Sequence, residues 1–135
     1  MKEITVVAKK EELDKILDFS HDILQQRECD KKTILNLDLI IEEIFVNIAS
    51  YSYPDEEGVL IVKCEINEKT KMFVIEFIDN GIKFNPLEKI DPDVKLSAND
   101  RKTGGLGIFI SKKLADEISY CYKENKNHLL IKKKL

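Results

Sequence analysis

The chain has 135 residues, 43% of them hydrophobic and 35% charged, with a formal net charge of −3 from 22 basic and 25 acidic side chains. That length suits one domain with a sizeable core, expected to span residues 1–135. The balance argues against disorder, membrane spanning and broad nucleic-acid binding, since no run of 18 apolar residues exists and no basic excess is present.

Cys29, Cys64 and Cys121 lie far apart with no Cys-x-x-Cys spacing. They read as thiols of a reducing cytosol rather than as a disulfide framework or a metal cluster. Near the N-terminus, Lys9-Lys10 restore charge before a long apolar region develops, so no signal peptide is expected. Lys132-Lys133-Lys134 reads as a solvated end.

In chain order, residues 3–8 predict a short strand. Residues 10–28 predict a helix with Leu13, Ile16, Leu17, Ser20 and Leu24 on one stripe. Asp30 and Thr33 offer starts for a second helix, whose apolar positions Ile34, Leu37, Ile41, Ile44, Phe45 and Ile48 repeat near 3.6. Its end falls near Tyr51 to Tyr53, because Pro54 disfavours a helical residue before it. Asp55-Glu56-Glu57-Gly58 is a turn. Residues 59–66 and 72–78 are β-branched or aromatic runs that predict a hairpin, and Asp79-Asn80-Gly81 closes it.

Residues 82–103 are polar and weakly periodic, with Pro86 and Pro92. A loop of that length inside a compact domain is usually functional. A third helix follows over about 105–117, then strands near 118–124 and 128–134. Helices grouped beside one largely antiparallel, mixed sheet predict an α+β two-layer sandwich.

The glycine-rich turn Gly104-Gly105-Leu106-Gly107 opens the third helix. Free backbone N–H groups and the helix dipole make such a start a phosphate site. The turn follows a long loop rather than a strand, so it is no dinucleotide-binding βαβ fingerprint. It also lacks the Gly-Lys-Ser/Thr ending of a P-loop. Arg101, Lys102 and Thr103 just before it either contact phosphates or solvate the loop.

Glu43 and Asn47 are spaced i,i+4 and share a helix face other than the one carrying Ile41, Ile44 and Ile48. An amide oxygen suits a hard cation such as Mg²⁺, and a carboxylate one turn away suits a base. Taken alone, the pair reads first as a solvated polar face. Asp79 at a strand end can accept from an adenine amino group, Gly81 would let a base approach, and Ile82 and Phe84 would supply apolar walls. Taken alone, the same residues also fit a plain turn. Met72 and the strand phenylalanines read as core. His21 and His128 read as isolated, and neither is a candidate for catalysis or metal binding.

The order of these signals resembles the GHKL ATPase superfamily, and within it the stand-alone anti-sigma factor serine/threonine kinase family of the RsbW and SpoIIAB type. The resemblance covers essentially the whole chain. It rests on Glu42-Glu43-Ile44-Phe45-Val46-Asn47, on Asp79-Asn80-Gly81-Ile82-Lys83-Phe84-Asn85-Pro86, and on the run from Asp100 through Gly104-Gly105-Leu106-Gly107 to Ile108-Phe109-Ile110.

The resemblance implies the Bergerat ATP-binding fold, ATP and Mg²⁺ as cofactors, Glu43 as catalytic base and Asn47 as metal ligand. It implies nucleotide contacts from Asp79, Gly81, Phe84, Arg101, Lys102, Thr103, Gly104, Gly105, Leu106, Gly107 and Ile108, and an ATP lid over about residues 87–104. It further implies a cytoplasmic homodimer that phosphorylates a STAS-domain anti-sigma factor antagonist and binds a sigma factor, without touching nucleic acid or membrane. One departure is Tyr51, which stands where many relatives carry histidine. Two alternatives stay open: a catalytically weak ATP-binding interaction module, and a simple ATP hydrolase.

Overall fold

The structure, a computed structural model, describes residues 1–88 and 105–135. Five strands, β1 (Lys2–Val7), β2 (Val59–Asn67), β3 (Met72–Asp79), β4 (Glu117–Lys123) and β5 (Lys126–Lys134), form one sheet in the order β1-β2-β3-β5-β4. Every pairing is antiparallel. Helices α1 (Leu13–Leu24), α2 (Lys31–Tyr51) and α3 (Gly105–Leu114) complete the two-layer α+β architecture. Single 3-10 turns lie at Lys10–Glu12 and Pro86–Glu88.

The strand period of two sorts the side chains. Leu60, Val62 and Cys64 of β2, Phe73, Ile75 and Phe77 of β3, and Leu129 and Ile131 of β5 are buried on the helix side. Leu37, Ile40, Ile41, Ile44, Phe45 and Ile48 of α2 meet them, with Ile16, Ile23 and Leu24 from α1 and Ile108 from α3. Burying each large aliphatic or aromatic side chain contributes about 1.5–3 kcal/mol before chain entropy is subtracted. Burial also pushes the Cys64 thiol up to about 12, so it behaves as a small apolar side chain. Cys29, Cys64 and Cys121 are free thiols.

Helix ends depart from expectation by a few residues. Asp30 caps α2 as expected, its Oδ1 accepting from the Thr33 N–H at 2.7 Å. The first helix stops at Leu24 rather than near residue 28, and residues 25–27 turn away with N–H bonds to His21, Ile23 and Leu24 carbonyls. The third stops at Leu114 rather than 117, because the Lys133 ammonium donates to the Leu114 carbonyl at 2.7 Å and β4 begins at Glu117. Among the described residues no helix is long and apolar enough to cross a membrane.

Candidate functional site

The register of β3 explains why an acid sits at its end inside the protein. Phe73, Ile75 and Phe77 face the helices, so Asp79 two residues on faces them too. Its cross-strand partner is Asn127 of β5, which shares a face with Leu129 and Ile131. Both Asp79 and Asn127 are 5% exposed. Asp79 Oδ1 accepts from the Gly81 N–H at 3.0 Å and from Asn127 Nδ2 at 2.9 Å. Burial raises the Asp79 carboxyl above its usual range, and donors from Asn127, Gly81 and Ser52 oppose that rise.

Asn47, Ile48, Ser52, Phe77, Phe84, Pro86, Tyr120 and Leu129 enclose Asp79 and Asn127. The free volume among them is about 20 Å³, room for a water but not for a base. A larger open depression of about 660 Å³, lined by Val7, Lys10, Glu12, Ala49 and Glu57 among others, contains none of the motif residues.

Phe84 lines this small pocket, whereas Ile82 does not. Its side chain is 56% exposed, and its backbone serves instead, the N–H donating to the Ser52 carbonyl at 3.0 Å. Gly81 also matters for a different reason. A Cβ there would collide with the Ser52 backbone carbonyl at the end of α2, so glycine permits the 79–82 turn to lie on the helix C-terminus.

Asn47 is 9% exposed although it lies on a polar face by spacing. Its Oδ1 is buried with no hydrogen-bond partner among the described residues. Such an atom costs stability unless a ligand satisfies it, and an amide oxygen is a hard donor. The residues present thus fit a magnesium ion. Among the described residues no group of three His, Cys, Asp or Glu side chains is arranged to hold a metal alone. An ion at Asn47 would share its coordination with phosphate oxygens and water, as Mg²⁺ prefers.

Glu43, one turn before Asn47, lies against α3. A Cβ on Gly107 would collide with the Glu43 carboxylate. The glycine of the third motif thus makes room for the acid of the first. Burial, and then the neighbouring Glu42 carboxylate, pushes the Glu43 carboxyl above its usual range. Ile108 turns its side chain into the core, leaving only its backbone for a phosphate contact. Gly105 and Leu106 open α3. Arg101, Lys102, Thr103, Gly104 and most of the expected lid lie outside the described residues.

Sequence reasoning missed three participants. Asn127 looked like an ordinary strand residue, and its pairing with Asp79 depends on sheet register. Tyr53 was read only as a helix end. Its hydroxyl lies 2.7 Å from the Val59 carbonyl and from Asn80 Oδ1, and it accepts from the Asn80 N–H at 3.0 Å. Gly58 leaves space for the Tyr53 ring. His21 is not isolated: its Nε2 lies 2.7 Å from Asp38 Oδ1, which ties α1 to α2 seventeen residues away. Tyr51, the last residue of α2, is exposed.

Comparison with known proteins agrees with this geometry. The family model of the histidine kinase-like ATPase domain matches residues 6–133. The anti-sigma F factor of Clostridium novyi (strain NT) is 25% identical over 114 residues, covering 83% of this chain and 78% of that protein. The structure of the RsbU and RsbW domains of Rv1364c from Mycobacterium tuberculosis superposes with a TM-score of 0.63 at 11% identity, covering 100% of this chain and 33% of that one. The histidine kinase domain of the Erythrobacter litoralis EL346 blue-light activated kinase gives a TM-score of 0.57 at 15% identity, covering 93% and 60%. The chain thus spans about a third of the first solved relative and three-fifths of the second, and at these identities the likeness concerns the fold. With the Glu-Asn helix, the buried strand-end aspartate and the glycine helix start gathered beside one sheet, the chain belongs to the histidine kinase-like ATPase domain family, the GHKL group.

Proposed function

We propose that this chain is an ATP-dependent protein serine/threonine kinase that acts as a cytoplasmic anti-sigma factor. Its substrate is a STAS-domain anti-sigma factor antagonist, its second partner a sigma factor, and its working form a homodimer with a single ATPase domain per chain. The observation that carries this reading is the meeting of Glu43 with Gly107, one turn from the orphaned Asn47 oxygen. Glu43 thus lies against the first turn of α3, with the buried Asn47 oxygen one turn further along α2. The likeness to an anti-sigma F factor supports the regulatory role.

In this reading Asp79 accepts from the amino group of adenine, and the first N–H groups of α3 face the phosphates. Asn47 Oδ1 would be the protein oxygen that holds Mg²⁺, and the ion would supply neutralisation of phosphate charge when bound. Glu43 takes the proton from the incoming serine hydroxyl. The serine oxygen bonds to the terminal phosphorus as the bond to the ADP oxygen breaks. Its raised pKa makes Glu43 a stronger base than a solvated glutamate.

The test is affinity capture with ATP and Mg²⁺ present, followed by labelled-phosphate transfer to the recovered protein. Wild type transfers label to serine or threonine. Glu43→Gln keeps ATP affinity and loses transfer by roughly 10²-fold or more. Transfer undiminished in Glu43→Gln removes the base assignment. ATP binding with no transfer to any captured protein points to a sequestering module, and phosphate release without transfer points to a hydrolase.

A further inference from the structure

The β2–β3 ladder ends on a rung supplied by a side chain. Its last paired residues are Leu60 and Asp79, so Val59 and Asn80 come next in register. At that point the Tyr53 hydroxyl bonds to both strands. It accepts from the Asn80 N–H at 3.0 Å, and it lies 2.7 Å from the Val59 carbonyl oxygen and 2.7 Å from Asn80 Oδ1. A phenol has one proton to give and lone pairs to receive, so it joins the two backbones as a bridging water would. The inserted oxygen parts β3 from β2 at Asn80 and still leaves the Val59 carbonyl and the Asn80 N–H with a partner.

From Asn80 the chain folds back onto the end of α2. The Ile82 N–H donates to the Ser52 carbonyl at 3.0 Å, and the Ser52 side chain donates to Asp79. Gly81 lies so close to the Ser52 carbonyl that a Cβ would collide with it. Tyr53 follows Ser52 directly, and its ring fills a slot that a Cβ on Gly58 would close. Ser52 and Tyr53 thus bond to Asp79, Asn80 and Ile82 in succession. The same helix carries Glu43 and Asn47. Tyr53 is not among the residues that enclose the small pocket around Asp79, so it acts on that pocket through the turn.

We propose that Tyr53 is a positioning residue that couples the two ends of the nucleotide site: its hydroxyl holds Asn80 off β2 and so sets the 79–82 turn, and Asp79 with it, at a fixed place relative to the helix that carries Glu43 and Asn47. This rests on the nucleotide reading above. The phosphate end, built from α2 and the start of α3, does not need the hydroxyl, whereas the base end does. Without it the Asn80 N–H loses its acceptor and the Val59 carbonyl its donor. The two can then close on each other as an ordinary rung, which draws the turn toward β2 and away from α2.

The experiment measures equilibrium binding of ATP and of inorganic tripolyphosphate, each with Mg²⁺, to the full chain, with thermal melting as a folding control. Tripolyphosphate engages the phosphate end alone. Tyr53→Phe keeps the ring in its slot and removes only the hydroxyl. It is expected to weaken ATP binding by roughly 3–10-fold, the net size of a hydrogen bond, and to leave tripolyphosphate binding unchanged. Asn80→Ala, which keeps the backbone N–H and removes the Oδ1 contact, weakens ATP alone by a smaller factor and serves if Tyr53→Phe does not fold. A folded Tyr53→Phe protein that binds ATP as wild type does, or that loses ATP and tripolyphosphate in equal proportion, overturns the positioning role. If that variant does not fold, either result in Asn80→Ala overturns it. Wild type that binds neither probe, or binds ATP no more tightly than tripolyphosphate, overturns the nucleotide reading, and this proposal with it.

Discussion

Glu43 sits between a neighbour of its own charge and a glycine that has no side chain to displace it. Burial is the larger cause of its raised carboxyl and the Glu42 charge the smaller. As the proposed base Glu43 would work ionised, so transfer is expected to fall as pH falls through its pKa. Glu42→Gln removes one upward push. The acid limb of the pH–rate profile is expected to move to lower pH, while burial keeps it above the range of a solvated glutamate. A limb that stays in place would show that Glu42 does not act on Glu43. Asp79 sets a parallel limit on binding. In the proposed reading the ionised form is the stronger acceptor, and since burial raises its carboxyl, affinity for adenine is expected to weaken at a higher pH than an exposed aspartate would allow.

At the scale of elements, one turn decides how the last two strands are joined. The β4–β5 connection places Glu124 and Asn125 at φ of 54° and 61°, the left-handed region that side chains other than Asn, Asp and Gly avoid. Asn125 tolerates this conformation and Glu124 does not. Glu124→Asn is therefore expected to stabilise the protein by roughly 1 kcal/mol, read as a higher denaturant midpoint at unchanged slope. The tight turn matters to the site because it sets the β4–β5 register. That register brings Tyr120 within reach of Asn127, and β3 brings Asp79 opposite it. Motif residues on α2, β3 and α3 were legible because each carries a chemical type out of keeping with its element. Asn127 and Tyr120 were not, since both are ordinary side chains whose meaning arises only when strands pair.

Across the whole molecule, the helix layer and the chemistry are coupled through one close approach. Glycine in a helix normally costs about 1 kcal/mol relative to alanine, so Gly107→Ala in isolation should stabilise α3. Here the added methyl would run into the Glu43 carboxylate. Because the flexible Glu43 carboxylate can swing aside, Gly107→Ala is expected to cost up to about 1 kcal/mol in the wild-type background. It should become neutral or stabilising when Glu43 is also alanine. A double-mutant cycle by chemical denaturation reads that reversal of sign directly, and additive effects would mean the two helices do not meet there.

The apolar periods and the Asp30 cap were enough, from sequence alone, to place three helices and five strands, because each is a local pattern of spacing, while the ATPase family came from the resemblance of the motif order. Sequence also marked Glu43, Asn47, Asp79 and Gly107 as candidates. Only the tertiary structure decided that Asn47 keeps a buried oxygen without a partner, that Gly107 is small to admit Glu43, and that Asn127 locks Asp79. The physical reason is range. Helix and strand patterns follow from neighbours along the chain, whereas burial, steric clearance and cross-strand hydrogen bonds join residues 48 and 64 positions apart, as in Asp79 with Asn127 and Glu43 with Gly107.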